Sequence, residues 1–332
     1  MAERTVLEVR DLAVHFEMEQ GTVRALEGVS FDLHAGRTLG IVGESGCGKS
    51  VTARSILRIL DRPGRIVGGR VLLDPGGAEA TDLIALDPAA ARMRAVRGGR
   101  IGLIFQEPMT ALSVHYTVGN QIIEAVRAHG GLSKAAARDR AIELLREVGI
   151  PRPELRVDAY PFQLSGGLRQ RVGIAMALAG DPDIVIADEP TTALDVTTQA
   201  QVLDLLRRLQ QDKGIALMLI THDMGVIAEM CDEVAVMYLG RVVEYAPVAD
   251  LFAAPRHPYT RALLRAVPSI LATPRQRLAT IGGAVPHPGA RPSGCAFHPR
   301  CAEFMAGRCD TAQPPPLRPG QAGASCFLEV PA

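Results

Sequence analysis

The 332-residue chain has few lysines and no excess charge of either sign. Lysine occurs only at positions 49, 134 and 213, and the 36 basic residues are balanced by 36 acidic residues. Because a surface that binds nucleic acid generally presents a strong basic field, zero net charge argues against nucleic acid as a partner. The scarcity of lysine also makes any motif that requires this residue more informative.

Long hydrophobic runs are also absent. The longest stretch without an acidic or basic residue is 108–123, which has 16 residues, several of them polar. A membrane-spanning helix needs about 20 predominantly apolar residues, so this stretch is too short and too polar to be one. Met1 is not followed by a basic segment and an apolar core, so we expect no signal peptide. We therefore expect a cytosolic chain that reaches a membrane only through a partner.

A phosphate-binding motif lies near the start of the chain. Gly43–Ser50 reads GESGCGKS and fits the pattern G-x-x-x-x-G-K-[ST]. The apolar stretch Thr38–Val42 before it predicts a buried strand, and apolar residues at helical spacing after it predict a helix. Glycines let backbone N–H groups converge on an anion, and a helix N-terminus adds partial positive charge. We expect Lys49 to reach the phosphates and the Ser50 hydroxyl to ligate Mg²⁺.

A second apolar stretch ends in two carboxylates. Asp183–Pro190 reads DIVIADEP, which predicts a buried strand that runs into Asp188 and Glu189. Asp188 is placed to hold Mg²⁺, as the corresponding aspartate does in P-loop enzymes. Adjacent residues of a strand point to opposite faces, so Glu189 is left for a different task, that of polarising the attacking water. A solvated strand end is the alternative, and the upstream P-loop disfavours it.

Two further strands end in polar residues. Gln106 follows the apolar run 101–105, and His222 follows the run 215–220. Apolar runs at 38–42, 101–105, 183–187 and 215–220 alternate with predicted helices, which indicates an α/β fold with a parallel central sheet. Ligands bind at the carboxyl ends of such strands, where Gln106 and His222 could contact a phosphate or its Mg²⁺. Taken alone, Gln106 is a weak signal and a lone histidine is more often structural.

Two other features have both a functional and a structural interpretation. Ser165 is a good helix N-cap, and Gly166 and Gly167 expose the backbone of the first turn, which suits a phosphate that is bound by another subunit. The same residues also suit an ordinary capped helix. Phe16, at the end of the first predicted strand, could stack on an adenine ring or pack in the core.

These motifs, in this order, resemble the nucleotide-binding subunit of ATP-binding cassette (ABC) transporters over residues from about 5 to 250. In that family's terms they are Walker A at Gly43–Ser50, the Q-loop at Gln106, the signature at Leu164–Gln170, Walker B at Ile184–Glu189, the D-loop at Ala193–Asp195 and the switch histidine at His222. The resemblance implies a P-loop NTPase of ABC type. Such a fold has a mixed-sheet core, an antiparallel β subdomain and a helical subdomain, here at about 107–175.

The resemblance also implies ATP and Mg²⁺ as cofactors, and a role for each motif residue. The implied ATP-binding residues are Phe16, Gly43, Ser45, Gly46, Gly48, Lys49, Ser50, Val51 and Asp188. Ser50 and Gln106 are the implied Mg²⁺ ligands, and the catalytic residues are Glu189, His222 and Gln106. The residues expected to close over the ATP of a second subunit are Ser165, Gly166, Gly167 and Gln170, and Asp195 is expected to couple the two sites.

A narrower resemblance concerns the ATPases of oligopeptide, dipeptide and nickel importers. It is carried by Gly40–Gly46, Ile104–Met109, His257–Leu263 and Gly294–Cys301. After Ala254, proline and glycine become frequent and regular periodicity fades, so we expect a nucleotide-binding domain at 1–254 and a small irregular extension at 255–332 with one short helix at about 259–266. The narrower resemblance also has consequences for the partners. The implied partners are a second ABC ATPase, two membrane permeases and an extracytoplasmic solute-binding protein, with this chain at the cytoplasmic face of the membrane.

The extension holds four of the six cysteines. Cys295, Cys301, Cys309 and Cys326 have the spacing C-x₅-C-x₇-C-x₁₆-C, which lacks the close cysteine pair of most zinc sites. Disulfides are not expected in a cytosolic chain. A segment with so little apolar periodicity nevertheless needs a cross-link, such as a bound metal, to hold its shape. Four thiolates suit a [4Fe–4S] cluster, which the narrower resemblance also implies. Zinc and unliganded buried thiols remain the alternatives.

The sequence leaves two other functions to compare with peptide import. The first is a non-transport ABC ATPase that acts in DNA repair or on ribosomes, which typically has a long coiled-coil insertion or two cassettes. Neither feature is present in this sequence. The second is a redox-regulated scaffold in which the cysteines, and not ATP turnover, provide the output. The solute itself cannot be read from this chain, because we expect specificity to lie in the partners.

Overall fold

The computed structural model describes residues 4–77, 80–107, 111–267, 280–318 and 320–329. The strands are β1 (Thr5–Met18), β2 (Gly21–His34), β3 (Thr38–Val42), β4 (Gly64–Leu73), β5 (Thr81–Asp82), β6 (Ile101–Ile104), β7 (Ile184–Asp188), β8 (Ala216–Thr221), β9 (Glu233–Tyr238), β10 (Arg241–Pro247) and β11 (Gly323–Ala324). The helices are α1 (Lys49–Ile56), α2 (Ala91–Val96), α3 (Val118–Gly130), α4 (Lys134–Glu147), α5 (Pro153–Arg156), α6 (Gly166–Ala177), α7 (Val196–Lys213), α8 (Met224–Met230), α9 (Val248–Ala253) and α10 (Pro258–Arg265). Short 3₁₀ turns occur at Pro161–Gln163, His298–Arg300 and Phe327–Glu329.

The described residues form two compact units. The helix-rich unit consists of residues 86–220 together with 34–37 and Arg4. The strand-rich unit consists of 5–33, 38–85 and the residues from 221 onward. The P-loop and the C-terminal extension therefore belong to the same compact unit, whereas residues 107–175, the predicted helical subdomain, fall within the helix-rich unit. Residues 108–110 of that predicted subdomain lie outside the described residues.

The helix-rich unit is built on parallel strands. β7 pairs with β6 on one side, with Ile104 opposite Ala187, and with β8 on the other, with Asp188 opposite Ile220. Every residue of β7 is buried, which explains the nearly continuous apolar run in its sequence. The predicted parallel order of these strands is confirmed, and their carboxyl ends lie at a common edge.

Helices make up the rest of this unit. α3 and α4 pack against each other, and both contact α6. Thr117 and Ser133 begin α3 and α4 as N-caps, because their side chains accept hydrogen bonds from the backbone N–H groups of the first turn. The sequence predicts a helix from Lys134 with Ser133 as its cap, and the structure confirms both.

The strand-rich unit contains two sets of paired strands. One is a four-stranded antiparallel sheet in the order β2-β1-β4-β5. In the other, β3 runs parallel to β9, with Val42 opposite Val236, while β9, β10 and β11 pair antiparallel. The P-loop thus leaves a strand whose five residues are all buried, which fixes the position at which the loop begins.

The C-terminal extension shares a hydrophobic core with these strands. The rings of Tyr238 on β9, Tyr259 on α10 and Phe297 in the extension meet with centroids 4.8 to 5.3 Å apart. All three side chains are at most 2% exposed. Because these rings bury large apolar surfaces against one another, the extension is held by packing of its own, without a disulfide among its described cysteines.

The observed elements differ from the predictions mainly at their ends. The second strand is predicted at 29–33, but β2 begins at Gly21 because backbone pairing continues where the side chains are exposed and lose their alternation. β5 lies within the predicted loop 74–87, of which residues 78–79 are outside the described residues. The predicted short helix at 259–266 is confirmed as α10.

Among the helices of the described residues, none combines the length and apolar character that crossing a membrane requires.

Candidate nucleotide site

The P-loop takes its shape from two glycines that admit no side chain. A Cβ atom on Gly43 would lie 2.2 Å from the carbonyl oxygen of Met237, so β9 requires glycine here. Gly48 has a φ of 105°, and a Cβ on it would lie 2.7 Å from Leu26 and 2.9 Å from the oxygen of Ala25. The loop can therefore follow this path only with glycine at both positions.

Lys49 is buried at the first position of α1 and bonds to the loop itself. Its Nζ atom donates to the carbonyl oxygens of Gly43 at 2.8 Å and Glu44 at 3.2 Å. Lys49 is only 5% exposed. An ammonium group can be buried at an acceptable free-energy cost only when it has hydrogen-bond partners of this kind. The cation is consequently aimed along the loop, as a phosphate-binding lysine must be.

The other predicted loop residues are more accessible. Ser45 and Gly46 are exposed, and Ser50 and Val51 at the start of α1 are half-buried. Gly48 precedes the helix and provides no side-chain cap, so the amide groups of the first turn are not covered by a capping side chain. This arrangement suits an anion at the helix N-terminus. Cys47, which lies between Gly46 and Gly48, is buried, and this burial raises the pKa of its thiol.

Two more predicted residues lie in the strand-rich unit. Phe16 of β1 is half-buried and pairs with Gly64 of β4, where a Cβ would lie 2.7 Å from the ring. Gly64 therefore makes room for this ring. His222 is exposed directly after β8, and the next residue, Asp223, caps α8 through bonds from the N–H groups of Gly225 and Val226. The adenine-stacking and phosphate-sensing roles of Phe16 and His222 stay predictions.

The carboxyl ends of β6 and β7 bring together residues that are 83 positions apart. The side-chain nitrogen of Gln106 donates to the Oε2 atom of Glu189 at 3.1 Å. Asp188, the last residue of β7, is only 6% exposed. Glu189 has a φ of 46°, in the left-handed region that side chains rarely occupy, and its N–H group donates to the carbonyl oxygen of Ile220 at 2.9 Å. Such a strained backbone conformation persists only where the surrounding structure maintains it. Conformations of this kind are found most often at functional positions.

Thr192 is a site residue that the sequence does not single out. Its hydroxyl donates to the same oxygen of Glu189 at 2.9 Å. Glu189 is thus held by Gln106 from one strand end and by Thr192 from the turn that follows β7. The only signal in the sequence is the pair of threonines after Pro190, a composition that is common in turns.

We expect the Thr192→Val variant to lower kcat for ATP hydrolysis about tenfold, because a hydrogen bond to a charged group contributes about 1.5–3 kcal/mol. ATP affinity should change less than about twofold, since the substitution reorients the Glu189 carboxylate and leaves the P-loop untouched. Steady-state hydrolysis and ATP titration measure the two quantities. The Thr197→Val variant, at an exposed position of α7, serves as the control. A Thr192→Val enzyme with the parental kcat would contradict the positioning role.

The predicted signature begins α6. Ser165 is its N-cap, with a hydroxyl that accepts from the N–H group of Leu168 at 3.4 Å. Ser165 and Gly166 are exposed, and Gly167 is half-buried, where a Cβ would lie 2.4 Å from Thr198. These three residues therefore present backbone groups at the surface of the helix-rich unit, although contact with a second subunit stays a prediction for them.

Gln170 differs from the other signature residues in its burial. It is 2% exposed, and it lines an apolar cavity of about 180 Å³ within the helix-rich unit. Its side chain faces the interior of this unit, where the cavity is lined by residues of β6 and α6. Within the helix-rich unit Gln170 is thus an interior residue, and its predicted contact with the ATP of a second subunit stays a prediction.

Asp195 is the N-cap of α7. Its carboxylate accepts from the N–H group of Thr198 at 3.0 Å and from the Thr198 hydroxyl at 2.8 Å. These bonds stabilise the ionised form and lower the pKa of Asp195. The geometry thus assigns this residue a capping role, while its predicted coupling of two sites stays a prediction.

The four cysteines of the extension do not form a metal-ligand group. All are free thiols, and Cys309 and Cys326 are buried while Cys295 and Cys301 are half-buried. Burial, and more weakly the neighbouring thiols, raises the pKa of Cys295 to about 11, and burial also raises the pKa values of Cys301 and Cys326. Across the residues that the structure describes, no three histidine, cysteine or acidic side chains are arranged to hold a metal ion. The predicted [4Fe–4S] cluster is thus not supported, although the donor chemistry would suit it, and unliganded thiols fit the observed geometry.

Comparison with known proteins agrees with this geometry. The family model described as "ABC transporter" matches residues 26–192. Among solved structures, the ATP-binding cassette MJ0796 bound to ADP and Pi has a TM-score of 0.63 and 27% identity, covering 73% of this chain and 98% of that one. CbiO1 from Clostridium perfringens, part of the ABC transporter complex cbiONQ, has a TM-score of 0.63 and 29% identity, covering 76% and 92%. The fold and the site define an ABC-type ATPase.

The C-terminal extension defines the branch of that family. The model described as "Oligopeptide/dipeptide transporter, C-terminal region" matches residues 243–309. A probable peptide ABC transporter ATP-binding protein of Sinorhizobium fredii is 52% identical over 96% of this chain and 94% of its own length. The dipeptide transport ATP-binding protein DppD of Escherichia coli is 47% identical over 93% and 92%. The chain belongs to the ABC transporter family and, within it, to the ATP-binding proteins with the oligopeptide/dipeptide C-terminal region.

Proposed function

We propose that this chain is the ATP-hydrolysing subunit that powers the import of dipeptides or oligopeptides through a membrane ABC transporter. The observation that carries the ATPase assignment is the Glu189 carboxylate, held by Gln106 and Thr192 at the end of β7. The peptide assignment is supported by relatives that are named for peptide or dipeptide transport and align over nearly the whole chain. Non-transport ABC ATPases and a redox scaffold are not favoured by these relatives.

The residues of the site have distinct tasks in this proposal. Lys49 and the P-loop amides bind the phosphates of ATP, and Ser50 and Asp188 hold its Mg²⁺. Glu189 accepts a proton from the attacking water or orients that water, and its two hydrogen-bond donors fix the direction of its carboxylate. His222 and Gln106 sense the γ-phosphate, and Phe16 stacks on adenine. Mg²⁺, when bound, neutralises the charge that develops on the phosphates.

A second cassette completes the proposed unit. The N-terminus of α6 is supported as an anion-binding surface by the exposure of Ser165 and Gly166. In this arrangement two ATP molecules lie between two subunits, and Asp195 links one site to the other. The second subunit can be a copy of this chain or a related ATPase.

Membrane permeases are the other proposed partners, and they would hold this chain at the cytoplasmic face of the membrane. The helix-rich unit exposes large apolar side chains, including Tyr116 (60%), Leu155 (67%) and Phe162 (61%). Phe162 stacks on Tyr160 with ring centroids 5.5 Å apart. Contiguous exposed apolar patches are typical of docking surfaces, and in this proposal cytoplasmic loops of a permease cover these side chains. A solute-binding protein outside the membrane would then deliver the peptide.

Reconstitution of the complex tests this function. The chain would be assembled in liposomes with its cognate permeases and second ATPase, and ATP hydrolysis and peptide uptake would be measured with peptide-loaded binding protein. We expect both rates to rise together on addition of peptide, and free sugars to have no effect. A complex that hydrolyses ATP but responds to no peptide would refute the substrate class, whereas a chain that binds no ATP would refute the whole proposal.

A further inference from the structure

Glu44, the second residue of the P-loop, is tied to the C-terminal extension at two points. The guanidinium of Arg300 pairs with both carboxylate oxygens of Glu44, at 2.7 and 3.0 Å. The backbone N–H group of Glu44 donates to the hydroxyl of Tyr259 on α10 at 2.9 Å. Both partners lie more than 200 positions along the chain from the loop. We refer to Glu44, Tyr259 and Arg300 as the Glu44 clamp.

Arg300 is fixed on every side. Its side chain is only 3% exposed, and its Nε atom donates to the carbonyl oxygen of Gly282 at 3.0 Å. The guanidinium lies 5.8 Å from the ring of Tyr238 and 6.0 Å from that of Phe297. A bidentate ion pair in such a buried site has little conformational freedom. The position of the Glu44 carboxylate therefore follows the position of the extension.

Tyr259 is equally constrained. It is 0% exposed and packs against the rings of Tyr238 and Phe297, so its hydroxyl cannot move without disturbing that core. Burial also raises the pKa of this hydroxyl well above its ordinary range, so it stays protonated. The acceptor for the Glu44 N–H group is therefore a rigid one.

The clamp reaches Lys49 through the backbone. The carbonyl oxygen of Glu44 is one of two loop oxygens that accept from Lys49, at 3.2 Å, and the oxygen of Gly43 is the other, at 2.8 Å. Arg300 and Tyr259 hold the side chain and the N–H group of the same residue. The peptide group that supports the ammonium is thus positioned by the extension.

We propose that Arg300 and Tyr259 are positioning residues of the nucleotide site: the C-terminal extension sets the shape of the P-loop through Glu44, and thereby sets ATP affinity. This inference rests on the proposed function, in which the P-loop binds ATP. It assigns the extension a task in nucleotide binding.

The Tyr259→Phe variant gives the sharpest test, because it removes one hydroxyl and keeps the ring that packs in the core. We expect the Kd for Mg-ATP, measured on the full-length chain by displacement of a fluorescent ATP analogue, to rise about three- to tenfold, since the N–H group of Glu44 loses its acceptor. The Arg300→Gln variant should raise the Kd about tenfold or more. The Arg300→Lys variant keeps the positive charge but loses the bidentate geometry of the guanidinium. Its Kd should therefore fall between the Kd of the parent and that of Arg300→Gln.

A double-variant cycle separates positioning from general stability. If Arg300 acts through Glu44, the Glu44→Gln/Arg300→Gln variant should bind ATP about as weakly as the weaker single variant. Arg261→Gln serves as the control, because it breaks the 2.6 Å pair with Glu303 in the same unit and does not touch the loop. We expect it to keep the parental Kd, and thermal unfolding of every variant gives the stability change separately.

Three results would overturn the inference: a parental Kd in both Tyr259→Phe and Arg300→Gln, additive effects in the double variant, or an equal loss of affinity in Arg261→Gln. Failure of the proposed function gives a different result, because the parental chain itself would then not bind ATP. If Arg300→Gln does not fold, Tyr259→Phe still decides the matter.

Discussion

The Glu189→Gln variant is expected to bind ATP normally and to hydrolyse it at least about a hundredfold more slowly than the parent, which is the scale of a lost general base. The amide keeps the size of the side chain and can still accept from Gln106 and Thr192, whose bonds hold the carboxylate in the structure. It cannot accept a proton from water. Phosphate release measures turnover, and titration with a fluorescent ATP analogue measures binding.

The matched control for this variant is Glu124→Gln, which removes an exposed carboxylate from α3. It should hydrolyse ATP at the parental rate. Because Glu189→Gln still binds ATP, it should also accumulate the paired form of the two cassettes, which gel filtration with ATP detects. Turnover at the parental rate in Glu189→Gln would show that another group activates the water.

Replacement of Lys49 by Ala is expected to weaken ATP binding by at least about a hundredfold, because two hydrogen bonds from a cation to phosphate contribute about 1.5–3 kcal/mol each. In the structure this cation is buried and bonds to the loop carbonyls of Gly43 and Glu44. A phosphate would offer it stronger, charged acceptors. Isothermal titration with Mg-ATP measures the change in Kd.

The scarcity of lysine provides an unusually direct control. Lys134 is exposed at the start of α4, and the Lys134→Ala variant should bind ATP like the parent. A similar loss of affinity in both variants would point to a general electrostatic effect and not to a phosphate contact. Unchanged binding in Lys49→Ala would remove the P-loop from the proposed site.

The residues at the strand ends could be predicted because their signals are local. A buried strand shows itself as an apolar run, and the residue that follows is read directly from the sequence. Adjacent parallel strands end at one edge, which explains why Gln106 and Glu189 meet, although the pairing of β6 with β7 is known only from the structure. The helix caps at Ser133 and Ser165 are equally local, since each satisfies an N–H group only three residues away.

Other features could not be predicted because they depend on three-dimensional packing. The inward direction of Gln170 depends on which face of α6 meets the cavity, which its motif does not specify. The arrangement of the four thiols depends on the path of irregular loops, so spacing suggested a metal cluster that the described geometry does not support. Thr192 required knowledge of how the turn after β7 folds back on Glu189.

By itself the sequence determined the chemistry of this protein: a P-loop between a strand and a helix, two carboxylates after a second strand, and a family order of motifs. Each of these is written within a few consecutive residues, where backbone geometry leaves little choice. Only the tertiary structure decided how the carboxylate at 189 is oriented and how the loop at 44 is held by an extension that begins two hundred residues later. Such contacts between distant segments arise from packing and burial, which no local pattern encodes.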